Sequence, residues 1–266
     1  MSDLTYKNLN LHYSDQGSGE PLVLLHGFLE EKSMWKDVAT AFEKTHRVIC
    51  LDLLGHGKTG NLGYIHSMEA QAEMLKFLLD DLGIEKCYLI GHSMGGYVAL
   101  AFADLYRNCV MGLCLMNSTA MADDAEKKIN RDRGIVAVKQ NHKTFMRIAI
   151  PGLFSQENQS IFSDEIEEIT KEALNMSQQG IIASLEGMKK RAERTFLLDQ
   201  DDFPILMIIG KKDPALDFNS LVAQAKKGHV QSVIFEDGHM SHIENKKELI
   251  EVLSKWLSPR TTKKLQ

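Results

Sequence analysis

Residues 87–106 read CYLIGHSMGGYVALAFADLY. The apolar run CYLI leads into Gly91-His92-Ser93-Met94-Gly95-Gly96, and the stretch MGGYVALAFADLY that follows has its apolar residues at helical spacing. Strand, tight turn and helix in that order form the context a G-x-S-x-G elbow requires. A serine at such a turn is held in a strained backbone conformation with its Oγ exposed, and close packing on either side demands the small Gly91 and Gly95. Ser93 is therefore the candidate nucleophile, and the Met94 N–H a candidate donor to an oxyanion.

Working outward, similar apolar runs bounded by Gly, Asp or Asn recur at 21–27, 47–53, 86–92, 111–117, 203–210 and 230–238. They lack clean alternation and are rich in Val, Ile and Leu, which predicts buried parallel strands. Amphipathic stretches at Met34–Lys44, Ser67–Leu82, Met94–Tyr106, Asn219–Lys227 and Lys246–Leu257 lie between them. Strand alternating with helix predicts an α/β fold, a mostly parallel sheet flanked by helices. Leu4–Tyr13 alternates more strongly and is read as an antiparallel edge hairpin. Between Ser118 and about Leu198 charged helix-forming sequence replaces the strands, which predicts a helical cap (118–198) inserted into a core of 1–117 and 199–266. Met121, Phe145, Met146, Phe154, Phe162 and Met188 either line a pocket beneath that cap or pack its own small core.

A serine hydroxyl is a weak nucleophile and needs a base and an orienting acid, which follow an elbow serine in the order acid, then His. Asp213 comes just after the run PILMIIG, at the carboxyl end of a predicted parallel strand, where such sheets place their sites. Asp217 is its rival and reads as the N-cap of the next helix; an acid after the strand MGLCLM would fall at Asn117, whose amide carries no charge. His239 follows Gly238 at the mouth of the last strand. Early in the chain, His26-Gly27-Phe28 follows the strand PLVLL, offering the Phe28 N–H as second oxyanion donor, with His26 bracing the loop and Gly27 letting it turn.

These pieces resemble the α/β-hydrolase superfamily across nearly the whole chain. His26-Gly27-Phe28, Asp52-Leu53-Leu54-Gly55-His56-Gly57, the Ser93 elbow and Gly238-His239 are similar to capped small-molecule serine hydrolases: esterases, enol-lactonases, C–C bond hydrolases and cofactor-free haloperoxidases. The resemblance implies a triad of Ser93, Asp213 and His239, an oxyanion hole from Phe28 and Met94, and no cofactor. Serine at the elbow departs from epoxide hydrolases and haloalkane dehalogenases, which carry Asp there. The single glycine of His26-Gly27-Phe28 departs from esterases of bulky tertiary alcohols. Cleavage of a small or medium carboxylic ester or lactone is the expected reaction. C–C cleavage or elimination on the same triad, and a hydrolase-like small-molecule receptor, are the alternatives.

Other motifs weigh less. Gly57-Lys58-Thr59 resembles the end of a P-loop, but the first glycine of that motif would fall on Asp52. His239 to Glu244 lacks the H-E-x-x-H order, so no catalytic metal is expected, and His242 is read as a polar residue opening the last helix. The elbow contains no G-x-G-x-x-G, which leaves dinucleotide binding unsupported. A formal charge of −5 from 31 Lys+Arg and 36 Asp+Glu offers no basic stripe for nucleic acid. The basic tail Arg260–Lys264 reads as a frayed terminus. Cys50, Cys87, Cys109 and Cys114 sit singly in apolar runs and read as reduced thiols. MSDLTYKNLNLHY has no signal pattern and no apolar run reaches the length of a membrane span, so a cytoplasmic enzyme of a small-molecule substrate is expected.

Overall fold

The computed structural model describes residues 4–258; the basic tail at Arg260–Lys264 lies outside the described residues. The strands are β1 (Leu4–Tyr6), β2 (Leu9–Leu11), β3 (Tyr13–Gly17), β4 (Glu20–Leu25), β5 (His46–Leu51), β6 (Cys87–His92), β7 (Val110–Met116), β8 (Ile205–Gly210) and β9 (Gln231–Phe235). The α-helices are α1 (Lys36–Phe42), α2 (Met68–Asp81), α3 (Met94–Leu105), α4 (Ala125–Ala149), α5 (Ser163–Ala173), α6 (Gln178–Lys189), α7 (Phe218–Ala225), α8 (Ser241–Glu244) and α9 (Lys246–Leu257).

Seven strands form one sheet in the order β3-β5-β4-β6-β7-β8-β9, parallel except for β3, which pairs antiparallel with β5 at the edge. The N-terminal hairpin is a separate two-stranded sheet, β1 with β2, and the antiparallel edge of the main sheet is supplied by Tyr13–Gly17, which the alternation at 4–13 did not single out. Both faces of the main sheet are covered. Along β4, Leu22 and Leu24 pack with Trp35, Val38 and Phe42 near α1 and with Leu249, Leu253 and Trp256 of α9. Val23 and Leu25 point the other way, into the layer of α2, α3 and α7. The period-two alternation of a strand thus serves two cores, which is why the central strands are apolar almost throughout; β9, expected to be buried, is instead an edge strand in which only Phe235 is buried.

Helix starts follow local chemistry. The Ser67 side chain accepts from the Ala70 N–H at the start of α2, and Asp217 accepts from the Ser220 N–H at 2.7 Å at the start of α7. Between β7 and β8 the chain forms α4, α5 and α6. Asn141 breaks α4 with non-helical backbone (φ −160°, ψ 92°) and its Oδ1 caps the continuing turn through Thr144 N–H, so the helix is two segments joined at a kink. Among the described residues no helix is long and apolar enough to cross a membrane.

Candidate active site

The elbow turns between β6 and α3. Ser93 has φ 49° and ψ −114°, a region that side chains avoid, and the surroundings enforce it. A Cβ on Gly91 would lie 2.4 Å from the Gly95 carbonyl oxygen, and one on Gly95 would lie 2.2 Å from that of Leu25. Only glycine lets α3 start this close to the sheet. The Ser93 N–H is tied to Met116 O of β7 at 3.0 Å, and the Ser93 carbonyl accepts from Ser118 Oγ at 2.8 Å. The side chain is left half-buried at the wall of a cavity of about 310 Å³.

His239 lines the same cavity. Its Nδ1–H donates to Asp213 Oδ2 at 2.7 Å, and both residues are buried. That bond fixes the tautomer, leaving Nε2 with the lone pair that can take a proton. Among the described residues no hydrogen bond joins Ser93 Oγ to His239; the two meet across the cavity. Asp213 Oδ1 accepts from the Ala215 and Leu216 N–H groups, and Oδ2 also accepts from Asn117 Nδ2 at 3.2 Å. Burial raises the Asp213 pKa, but the charge of His239 and these hydrogen bonds outweigh it and hold the carboxyl below its ordinary value. Asp217 caps α7 and takes no part. Asn117, at φ 46°, has a different role from an acid: its amide donates to Asp213 and to Gly238 O, while its Oδ1 accepts from Ser241 Oγ at 2.6 Å. It joins the acid-bearing loop to the loop that carries His239.

Phe28 lines the same cavity, and neither its N–H nor that of Met94 is hydrogen-bonded among the described residues. His26 lies below them as a brace: Nδ1–H donates to Gly27 O at 2.7 Å and Nε2 accepts from Leu53 N–H at 2.9 Å. Burial holds its pKa below the ordinary value, so it stays neutral. Gly27 is needed for space rather than for turning. A Cβ there would lie 2.4 Å from Glu30 Oε2 and 2.7 Å from His92 Nδ1, and the left-handed residue of this loop is Leu29, at φ 66°.

Glu30 and His92 are the residues that sequence reasoning missed. His92 Nδ1 lies 2.8 Å from Glu30 Oε2 and its Nε2 lies 2.9 Å from His239 O, so both ring nitrogens face acceptors and both must donate. Burial lowers the His92 pKa, yet the Glu30 charge and both hydrogen bonds raise it above the ordinary value overall. Burial likewise raises Glu30, and the charge of His92 overrides it, bringing the carboxyl down to about 2. Glu30 Oε2 also accepts from Gly27 N–H at 2.7 Å. One buried ion pair therefore joins the Phe28 loop, the elbow and the His239 backbone. His242 lies in the first turn of the short α8 that leads into the last helix, and it is buried there with Nε2 3.8 Å from Glu30 Oε1, where burial takes its pKa down to about 4. Glu30, His92 and His242 place ligand atoms within 4.8 Å of one another, and His92 Nδ1 donates to Glu30 Oε2 within that group.

The pattern for the alpha/beta hydrolase fold matches residues 20–246. The chain belongs to the alpha/beta hydrolase fold family. Within it, a thermophilic esterase from Thermogutta terrifontis, solved with malate bound, superposes with a TM-score of 0.88 at 32% identity, covering 94% of this chain and 93% of that one. A 2-hydroxy-6-oxononadienedioate/2-hydroxy-6-oxononatrienedioate hydrolase from Paraburkholderia phymatum is 42% identical over 114 residues, 41% of this chain and 40% of its own length. The dihydrolipoyllysine-residue acetyltransferase component of an acetoin cleaving system from Pseudomonas putida is 30% identical over 85% of this chain, which spans 60% of that protein.

In this hydrolase-fold chain the segment between β7 and β8 supplies much of the cavity lining. Phe145 and Met188 face it, together with Tyr97, Leu185 and Leu216. Met146 and Phe154 are instead buried in packing, Phe162 stacks on Phe154 with ring centroids 6.3 Å apart, and Met121 is 42% exposed. The inserted segment also holds the site's backbone, since His239 N–H donates to Leu153 O at 3.0 Å and Ser155 N–H to Glu244 Oε1 at 2.9 Å. The Gly57-Lys58-Thr59 turn wraps a buried carboxylate rather than a phosphate: Asp52 accepts from the Lys58 and Lys32 N–H groups.

Proposed function

We propose that this protein is a serine hydrolase that cleaves a small or medium carboxylic ester or lactone through an acyl-enzyme on Ser93. The observation that carries this reading is the strained Ser93 sharing one cavity with a His239 whose Nδ1–H is held by Asp213 at 2.7 Å. In the first half-reaction His239 Nε2 takes the Ser93 Oγ proton as Oγ attacks the carbonyl carbon. Asp213 stabilises the imidazolium, and the Phe28 and Met94 N–H groups receive the oxyanion. Collapse breaks the bond to the alcohol or enol, which leaves with the proton from His239. Water then attacks the acyl-enzyme, giving its proton to His239, and the acid departs as Ser93 is reprotonated.

The cavity volume of about 310 Å³, at the small end for ligand pockets, supports small or medium substrates entering beneath residues 118–198 acting as a cap. The free thiols, three of them buried, support a reducing cytoplasm. A C–C bond cleavage or elimination on the same triad is the second reading, favoured by the relative from Paraburkholderia phymatum, which is named as a hydrolase of an oxo-dienedioate. Assay of short-chain aryl esters, lactones and dienols with wild type and Ser93→Ala separates them. Ester and lactone turnover lost in Ser93→Ala supports acyl transfer. Turnover of dienols alone, surviving Ser93→Ala, overturns it in favour of His239 acting as base without a nucleophile.

A further inference from the structure

The cavity has a charged wall for which acyl transfer has no use. Lys127 and Arg131 stand four residues apart on one face of α4, Asp123 precedes that helix, and Arg191 follows α6; all four line the cavity that Ser93 lines. Asp123 is buried and accepts from Arg191 Nη1 at 2.6 Å and Arg131 Nε at 3.1 Å. One carboxylate therefore answers two guanidinium groups, and a positive charge remains. Lys127 adds a second, with no carboxylate within ion-pair distance among the described residues. Of the other titratable groups lining the cavity, His92 is balanced by Glu30 and His239 faces Asp213.

The wall is built, not a chance of surface side chains. The Arg191 side chain is only 3% exposed and its guanidinium lies 4.0 Å from the Tyr97 ring centroid. It commits Nε to Met121 O at 3.1 Å and Nη1 to Asp123 and Met188 O, which leaves Nη2 without a hydrogen-bond partner among the described residues. Arg131 commits Nε to Asp123 and keeps both terminal nitrogens. A sequestered cation with unanswered donors favours an anionic partner, and a planar carboxylate suits a guanidinium edge.

We propose that Lys127, Arg131 and Arg191 form an anion subsite, and that the preferred substrates carry a carboxylate in addition to the bond Ser93 attacks. The proposal rests on the serine-hydrolase reading, which places the scissile carbonyl at the Ser93 end of the cavity. The substrate class becomes half-esters of dicarboxylic acids, or esters and lactones with a carboxylate on the alcohol side, in preference to neutral esters of equal size.

Two isosteric pairs test it, each a carboxylate against its neutral carboxamide: phenyl hydrogen glutarate with phenyl glutaramate, and a matched pair with the group on the alcohol. At low salt, kcat/KM should favour the anion in at least one pair by roughly tenfold or more, the scale of a charge-assisted hydrogen bond. That ratio should fall severalfold in Lys127→Gln and in Arg131→Gln, and shrink with added salt. Equal use of both partners in both pairs, or a preference unchanged in both variants, overturns the proposal. Calorimetric binding of the same pairs to Ser93→Ala separates the two readings. Tighter binding of the anion without turnover by wild type leaves the subsite standing and removes the ester-hydrolase reading; equal binding removes the subsite.

Discussion

The Nδ1 of His92 and the Oε2 of Glu30 stand 2.8 Å apart, with both side chains buried. His92 adjoins Ser93 in the chain and donates to the backbone of His239, while Glu30 accepts from Gly27 N–H next to Phe28. The pair thus ties together the segments that carry Ser93, His239 and Phe28. Removing one partner leaves the other charge buried and unanswered, an effect of about 3–5 kcal/mol. Glu30→Gln should lower Tm by several degrees and kcat by more than tenfold. Circular dichroism melts and ester assays check this; a variant with wild-type Tm and kcat contradicts the bracing role.

The same buried groups shape stability against pH. His66 and His242 have folded pKa values taken down to about 4, His66 by burial and His242 by burial against the opposing charge of Glu30, so below about pH 6.5 the unfolded chain binds their protons first and stability falls as pH drops from 6.5 towards 4. Glu30, held at about 2, contributes stability above its ordinary value of 4.5 that is lost as pH falls through that lower range. His92 is raised, so its contribution is complete below 6.5 and is lost as pH rises through its folded pKa. Chemical denaturation across pH should therefore give maximum stability near pH 6.5, and His242→Gln should flatten the acid limb. A stability maximum near pH 4 would contradict the assignment of neutral His66 and His242.

Asp213 and Asp217 should respond differently to the same chemical change. Asp213→Asn replaces the acceptor that fixes the His239 tautomer, and the loss in kcat should be near the ~10⁴ seen for such a change in the best-studied triad. Asp217→Asn keeps the cap on α7 and should leave kcat and Tm nearly unchanged, since Asn caps about as well as Asp. Measured kcat for the two variants reads this directly; the reverse pattern would move the acid to Asp217.

Two phenylalanines of the inserted segment separate specificity from stability. Phe145 lines the cavity, so Phe145→Ala should shift the preferred acyl chain towards greater length. Phe154 is fully buried, so Phe154→Ala should destabilise by about 3–5 kcal/mol. Chain-length profiles and melts check both; an unchanged profile in Phe145→Ala would remove it from the substrate's surroundings.

What the sequence made legible was local or periodic. Ser93 is announced by two glycines and a change from strand to helix spacing within a dozen residues, and five of the six parallel strands by apolar runs that serve two cores; β9, at the edge, is mostly exposed. Asp213 and His239, hydrogen-bonded to each other at 2.7 Å, each follow a strand end that is legible in the sequence. The Glu30–His92 pair spans 62 positions and depends on how two loops meet, which no periodicity encodes. A carboxylate directly after the apolar HGFL was its one trace. Gly27 reads as a turn residue in sequence because the space it leaves for Glu30 and for His92, a side chain from another segment, is invisible in one stretch of chain. The edge strand β3, mostly exposed and polar as YSDQG, carries no apolar pattern, and the four-residue α8 is too short for one.

The proposed reaction requires Ser93 to be the nucleophile. Treat the protein with an alkyl fluorophosphonate, record the intact mass and map the adduct by peptide sequencing in wild type and Ser93→Ala. The account predicts a single adduct on Ser93, slowed strongly in Asp213→Asn and absent in Ser93→Ala. An adduct that persists in Ser93→Ala, or maps to another residue in wild type, would contradict it.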